Sequence, residues 1–320
     1  MKKVFSLTIV AVVTAVIVLC LRYQPGRATD NCSTPTECRY DLSKLKKTDT
    51  TLLIKAGISY ITTTMSNLTA IAVDGINIVI GSRTGVQILD AGGSRVVDFS
   101  VAAPVNCLAV APGGDILVGL NDHIEVYGQD GTKKAEWSKP DLKTDFTSIA
   151  VSSNFVYAAD CVNRIIWRFT LSGELLGRIG EKDNGRRKNG FVVPSAFFDV
   201  AVAADGSLWV ANPGEHRLEH FTADGKFLAC WGKAALEADG FCGCCNPSNI
   251  AIAPDGSFVT SEKHIVRVKS YDATGAFNGI ICGQEEWEKE AVGLDLAVDS
   301  KGRILVLDPQ ADVVRVYARK

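Results

Sequence analysis

One pattern recurs six times along this chain and restricts what it can fold into: a short run alternating large and small apolar residues, closed by a turn. The runs are Ile71-Ala72-Val73-Asp74-Gly75, Leu108-Ala109-Val110-Ala111-Pro112-Gly113 and Ile149-Ala150-Val151-Ser152-Ser153, then Val200-Ala201-Val202-Ala203-Ala204-Asp205-Gly206, Ile250-Ala251-Ile252-Ala253-Pro254-Asp255-Gly256 and Leu296-Ala297-Val298-Asp299-Ser300. One such unit cannot bury its apolar face alone, whereas stacked copies can, which is the logic of a repeat architecture. The large–small alternation suits strands packed tightly around a crowded axis. A second strand follows each run, as in Leu208-Trp209-Val210, and a third, as in Val313-Val314-Arg315-Val316-Tyr317. Turns then fall at Asp130-Gly131, Ser172-Gly173, Asp224-Gly225 and Thr274-Gly275. Gly supplies the positive φ that such hairpin turns require. Four strands and about 40–50 residues per repeat predict an all-β, six-bladed β-propeller. The sixth unit reaches only its third strand, so Leu52–Ile58 is expected to supply the fourth and close the ring without an exposed edge.

The net charge of −2 offers no electrostatic footprint for nucleic acid, and no nucleic-acid partner is expected. Lys2 and Lys3 precede an apolar or weakly polar run over residues 4–21, just long enough to span hydrocarbon. No good cleavage site follows it at once, and Leu19 is large where a lipoprotein signal wants a small residue before Cys20. The run reads as an uncleaved signal-anchor, with a cleaved signal as the alternative. The Lys pair favours an inside N-terminus and an extracytoplasmic (periplasmic or extracellular) propeller, while Arg22 and Arg27 on the other flank oppose it. The expected organisation is a single-pass membrane segment over 1–21, a polar tether over 22–49 and a propeller over 50–320.

Two stretches carry a family resemblance. Val156-Tyr157-Ala158-Ala159-Asp160-Cys161-Val162-Asn163-Arg164-Ile165-Ile166-Trp167-Arg168-Phe169 resembles the core of an NHL repeat. So does Leu208-Trp209-Val210-Ala211-Asn212-Pro213-Gly214-Glu215-His216-Arg217-Leu218-Glu219-His220-Phe221. The resemblance covers roughly residues 60–320; it is good in the third and fourth blades, fair in the fifth and sixth, and poor in the first two. It implies a propeller, usually six-bladed, and no single activity, since that family holds protein- and RNA-binding modules as well as a peptide-amidating lyase. The lyase's metal ligands and catalytic residues find no match here.

Antiparallel order within a blade puts the turns after the first and third strands on one face. The loops after the second strand and the connectors between blades share the other, here called the connector face. Nearly all unusual residues map to it. Cys161, His123, His216 and His264 fall in loops after second strands, Cys230 and Cys282 end fourth strands, and Cys107 begins an innermost strand. Cys242, Cys244 and Cys245 occupy the connector entering the fifth blade. Three chemistries stand open for Cys161, His216, Cys230, Cys242, Cys244, Cys245, His264 and Cys282. They are disulfides, for instance Cys244 or Cys245 with Cys230 or Cys282; a zinc or copper site; and a redox-active dithiol or iron–sulfur cluster. Cys32 and Cys38 suggest a local disulfide in the tether.

Arg186, Arg187 and Lys188 form a basic connector and Glu285, Glu286, Glu288 and Glu290 an acidic one, both read as solvated. Trp167, Trp209 and Trp231 read as blade packing, and His220 as a surface residue of a third strand. No Ser-His-Asp order, H-E-x-x-H or phosphate-cradling loop is present. The expected function is a non-catalytic module binding a protein or small-molecule ligand on its connector face. The alternative is a metal-dependent hydrolase or lyase, or a thiol redox protein, using the same rim.

Overall fold

The computed structural model describes residues 47–181, 190–243, 245–287 and 291–319. These residues form six four-stranded antiparallel sheets, five built from consecutive strands and one mixed from both ends of the chain. The innermost strands are Leu68–Asp74, Cys107–Val110, Phe146–Val151, Val200–Val202, Asn249–Ile252 and Leu296–Val298. Each begins on the connector face and ends in the turn that the repeat pattern marks. The all-β, six-bladed propeller is thus observed.

The large–small alternation has a direct structural meaning. At every blade junction the large residues of one inner strand pack on the alanines of the preceding one. Ile71 and Val73 meet Ala297; Leu108 and Val110 meet Ala70 and Ala72; Ile149 and Val151 meet Ala109. Val200 and Val202 meet Ala150, Ile250 and Ile252 meet Ala201, and Leu296 and Val298 meet Ala251. One side of each inner strand is therefore a knob and the other a hole. Burying each knob contributes about 1.5–3 kcal/mol. A large residue on both sides would force the strands apart at the axis.

Ring closure follows the expected scheme with a shift. The closing strand is Lys55–Thr62, pairing with Val313–Arg319 through Ile58↔Tyr317 and Ile61↔Val314. It starts three residues later than expected because the preceding residues are taken up elsewhere. Asp49 caps a 3-10 turn over Thr50–Leu52, its Oδ1 accepting from Thr51 N at 2.9 Å. Leu53 then bridges Ile280, and Thr48 N donates to Glu285 Oε1 at 2.5 Å. The N-terminal segment thereby clasps the fifth blade before completing the sixth.

Among the described residues no helix is long and apolar enough to cross a membrane. The 4–21 segment, the tether to residue 46 with Cys32 and Cys38, the basic connector at 186–188, Cys244, Glu288 and Glu290 lie outside the described residues.

Candidate functional site

Counting back one residue from each repeat identifies a ring at the connector-face end of the inner strands: Ala70, Cys107, Ser148, Asp199, Asn249 and Asp295. Each stands on the side facing the next blade. Three of them accept that blade's backbone N–H: Ser148 Oγ from Val200 N at 3.3 Å, Asp199 Oδ2 from Ile250 N at 2.6 Å, and Asp295 Oδ2 from Ile71 N at 2.8 Å. Neighbouring positions bind the same junction or others. Asn106 Nδ2 donates to Phe146 O at 3.1 Å, Thr147 Oγ1 to Phe198 O at 2.6 Å and Ser261 Oγ to Leu294 O at 2.9 Å. These polar staples hold the blades in register where the apolar packing ends.

Above this ring lies a cavity of about 370 Å³ into which all six blades contribute. Its walls carry the hydroxyls of Thr69 and Thr147, the amides of Asn106, Asn121 and Asn249, the carboxyls of Asp145 and Asp295, and the ring of Phe197. Among the described residues the lining includes no Lys, Arg or His. Lys263 stands behind Phe197, its Nζ 4.4 Å from the ring centroid and donating to Ser195 Oγ at 2.7 Å.

Burial of uncompensated carboxyls shapes the electrostatics. Asp295 is pushed up to about 7 by burial and then by the charge of Asp199. Asp199 is pushed up to about 6 by burial. Asp145 is raised by burial and by Asp160. The Cys107 thiol is raised well above its usual range by burial and then by Asp295, Asp199 and Asp145. Among the described residues the mouth is thus rich in acceptors and short of cations.

The cysteines named from the sequence have separate environments. Cys107, Cys161, Cys230, Cys242 and Cys282 carry free thiols. The suggested partners Cys230 and Cys282 differ sharply: Cys230 is exposed on an outer strand, whereas Cys282 is fully buried with Trp287 and Leu294 between the fifth and sixth blades. Burial pushes Cys282 up to about 12. Cys161 Sγ lies 3.7 Å from Asp145 Oδ2, and burial with the charges of Asp145 and Asp160 pushes it up to about 12. Neither thiol has the low pKa of a reactive thiolate. Cys242, raised by burial, sits on a connector pinned from below. There Glu262 Oε1 accepts from Cys242 N at 3.0 Å, and fully buried Lys269 donates to Gly240 O at 2.6 Å and Ala238 O at 3.1 Å. Cys245 is buried, His264 exposed, and His216 partly buried.

Among the described residues, one group of three potential ligands lies within 4.8 Å of one another: His123, Glu125 and Glu136. Lys133 already occupies it, bonded to Glu125 and, at 2.8 Å, to Glu136 Oε2. The group is a salt-bridge network built around an ammonium.

His220 departs from its expected surface role. It pairs in register with Trp209, and the two rings stack at 4.3 Å with an interplanar angle of 4°. The stack half-buries the imidazole at the opposite end of the axis. The axial ring and the His220 contacts escaped the sequence reading for different reasons. The ring sits one residue before the apolar runs, in a column whose chemistry varies from blade to blade. The His220 contact needs the strand register.

Comparison with known proteins extends the fold and nothing finer. No family model matches the chain, and no curated protein matches it. Among solved structures, a streptogramin B lyase superposes with a TM-score of 0.56 at 14% identity, over 82% of this chain and 98% of that one. Virginiamycin B lyase from Staphylococcus aureus gives 0.57 at 12% identity, over 82% and 99%. A protein of unknown function from Bacteroides thetaiotaomicron gives 0.59 at 12% identity, over 82% and 76%. At these identities the likeness is one of fold.

Proposed function

We propose that this chain is a membrane-tethered, extracytoplasmic binding propeller whose connector-face mouth receives a small cationic ligand of the amine class. The observation that carries the reading is the cavity of about 370 Å³ walled by amides, hydroxyls and two carboxyls, with no basic residue among the described residues of its lining. An ammonium there would donate to several acceptors at once and relieve the mutual repulsion of Asp199 and Asp295. Because Asp295 titrates near 7, binding would strengthen as pH rises through that value. Calorimetry with 1,4-diaminobutane, and 1,4-butanediol as the uncharged control, tests this. Saturable binding of the diamine alone, lost in Asn249→Leu, is the expected result. Equal binding of both compounds, or of neither, refutes it. The tether and location rest on Lys2, Lys3 and the 4–21 run, and protease shaving of intact cells would remove the propeller if it faces outward.

We also read the blades as NHL-type. A shared acceptor ends four second strands and ties a loop of the connector face to its blade. Asp160 Oδ1 accepts from Val162 N and Asn163 N, both at 3.0 Å, and Asn212 Oδ1 from Val192 N at 2.9 Å. Glu262 takes Cys242 N, and Asp308 Oδ1 takes Gln310 N at 3.1 Å. Asp160 is the acidic residue of the NHL-like stretch in the third blade. The enzyme alternatives lack a comparable observation among the described residues.

A further inference from the structure

The end of the axis opposite the connector face opens into a second cavity of about 610 Å³, chemically unlike the first. Its walls are mainly apolar: Val73, Val202, Ile252 and Val298 from the ends of four inner strands, with Trp209 and Phe258 between the fourth and fifth blades. This volume lies within the usual range for small-molecule sites, about 300–1,000 Å³.

One wall carries Asp205, Ser207 and His220. Their protons can be assigned. Asp205 is held below its usual range by hydrogen bonds from Ser207, so it is ionised and only accepts. Ser207 Oγ donates its single proton to Asp205 Oδ1 at 2.5 Å. The same oxygen lies 2.8 Å from His220 Nε2 and must accept there, which places the imidazole proton on Nε2. Burial lowers the His220 pKa, so the ring is neutral at neutral pH and Nδ1 keeps its lone pair. The relay runs the wrong way for a nucleophilic serine, whose proton would have to pass to the histidine. What it does instead is fix the tautomer, leaving Nδ1 as the acceptor of a ring that lines this mostly apolar cavity and is already stacked on Trp209.

We propose that this cavity is a second binding site, for a flat aromatic molecule carrying one hydrogen-bond donor, of the phenol class, with that donor on His220 Nδ1. The apolar walls take the ring, and the fixed acceptor selects for the donor. An apolar body without a donor leaves Nδ1 dehydrated and unpaired. Asp299, also in the lining, offers no competing site, since its carboxylate is taken by Arg303 Nε at 2.6 Å and by Lys301 N at 3.0 Å.

Ligand-observed NMR titration with phenol and anisole decides the matter, because methylation removes the donor and little else. Phenol is expected to bind the unaltered protein about ten-fold more tightly than anisole, the equivalent of one buried hydrogen bond. His220→Phe keeps the stack and removes the acceptor, and should bring the two compounds level. Ala204 is exposed on the cavity rim, so Ala204→Trp blocks the opening without disturbing the core, and should abolish both signals. Failure of the unaltered protein to bind phenol, equal affinity for phenol and anisole, or undiminished phenol binding by the Ala204→Trp protein each overturns the proposal. The diamine titration at the other mouth is unaffected by any of these outcomes.

Discussion

Raising the pH from 5 to 8 should weaken this fold through two carboxyls at its axis. Asp295 has an ordinary value of 3.8 in an unfolded chain and about 7 in the ring; Asp199 moves from 3.8 to about 6. Both are raised, so between the two values the native protein holds protons that the unfolded chain has released. Stability therefore falls as pH rises through that window, and the penalty is complete only above the folded value. From pH 5 to 8, Asp295 accounts for about 2–3 kcal/mol and Asp199 for about 1–2 kcal/mol. Mutual repulsion makes the two inseparable in detail. Urea denaturation at pH 5, 6, 7 and 8 measures the profile, with Asp295→Asn as control. The variant still offers one oxygen to the two N–H donors from Leu296 and Ile71, but cannot ionise. Its absolute stability is not the readout; its slope is. The wild-type profile should fall more steeply by about 2–3 kcal/mol over this range, all other titrating groups being common to both proteins. Parallel profiles would refute the picture of a neutral acid buried at the axis.

Three further outcomes follow from the packing. Gly119→Ala would drive a methyl into Cys107 Sγ and to 2.9 Å from Ile149 Cδ1, and should cost about 1–3 kcal/mol in urea denaturation. Lys269→Met strips the carbonyls of Ala238 and Gly240 of their donor, and should lower stability by about 2–4 kcal/mol while raising alkylation of Cys242 as its connector loosens. In native protein at pH 8, peptide mapping after alkylation should find Cys230 labelled first, Cys161 and Cys242 slowly, and Cys107 and Cys282 only after denaturation.

The propeller was legible because its joint is written in the residues themselves. Ile149-Ala150-Val151 shows knob and hole in three consecutive letters, and the Asp-Gly turns mark where each strand reverses. The start of the closing strand was less legible, since Asp49 and the docking of Leu53 on Ile280 determine where pairing begins, and neither leaves a periodic trace. At the site, the sequence singled out the face on which the proposed mouth lies. Its cysteines and histidines drew the eye, yet their side chains divide between solvent, loop and core, which a position along a strand does not reveal. The axial column was in plain view but reads as noise until the six copies are superposed in space. His220 needed a cross-strand partner, Trp209, eleven residues earlier.

The knob-and-hole joint also bears on how such a protein can diverge. The residues that lock neighbouring blades and the residue at the connector-face end of the inner strand are adjacent in every repeat, yet only the first keep one pattern around the ring. The lock repeats almost letter for letter. The residue before it spells Ala, Cys, Ser, Asp, Asn and Asp around the ring. A single column of the repeat thus spells a word of six letters, rewritable one blade at a time while the wheel that carries it stays whole.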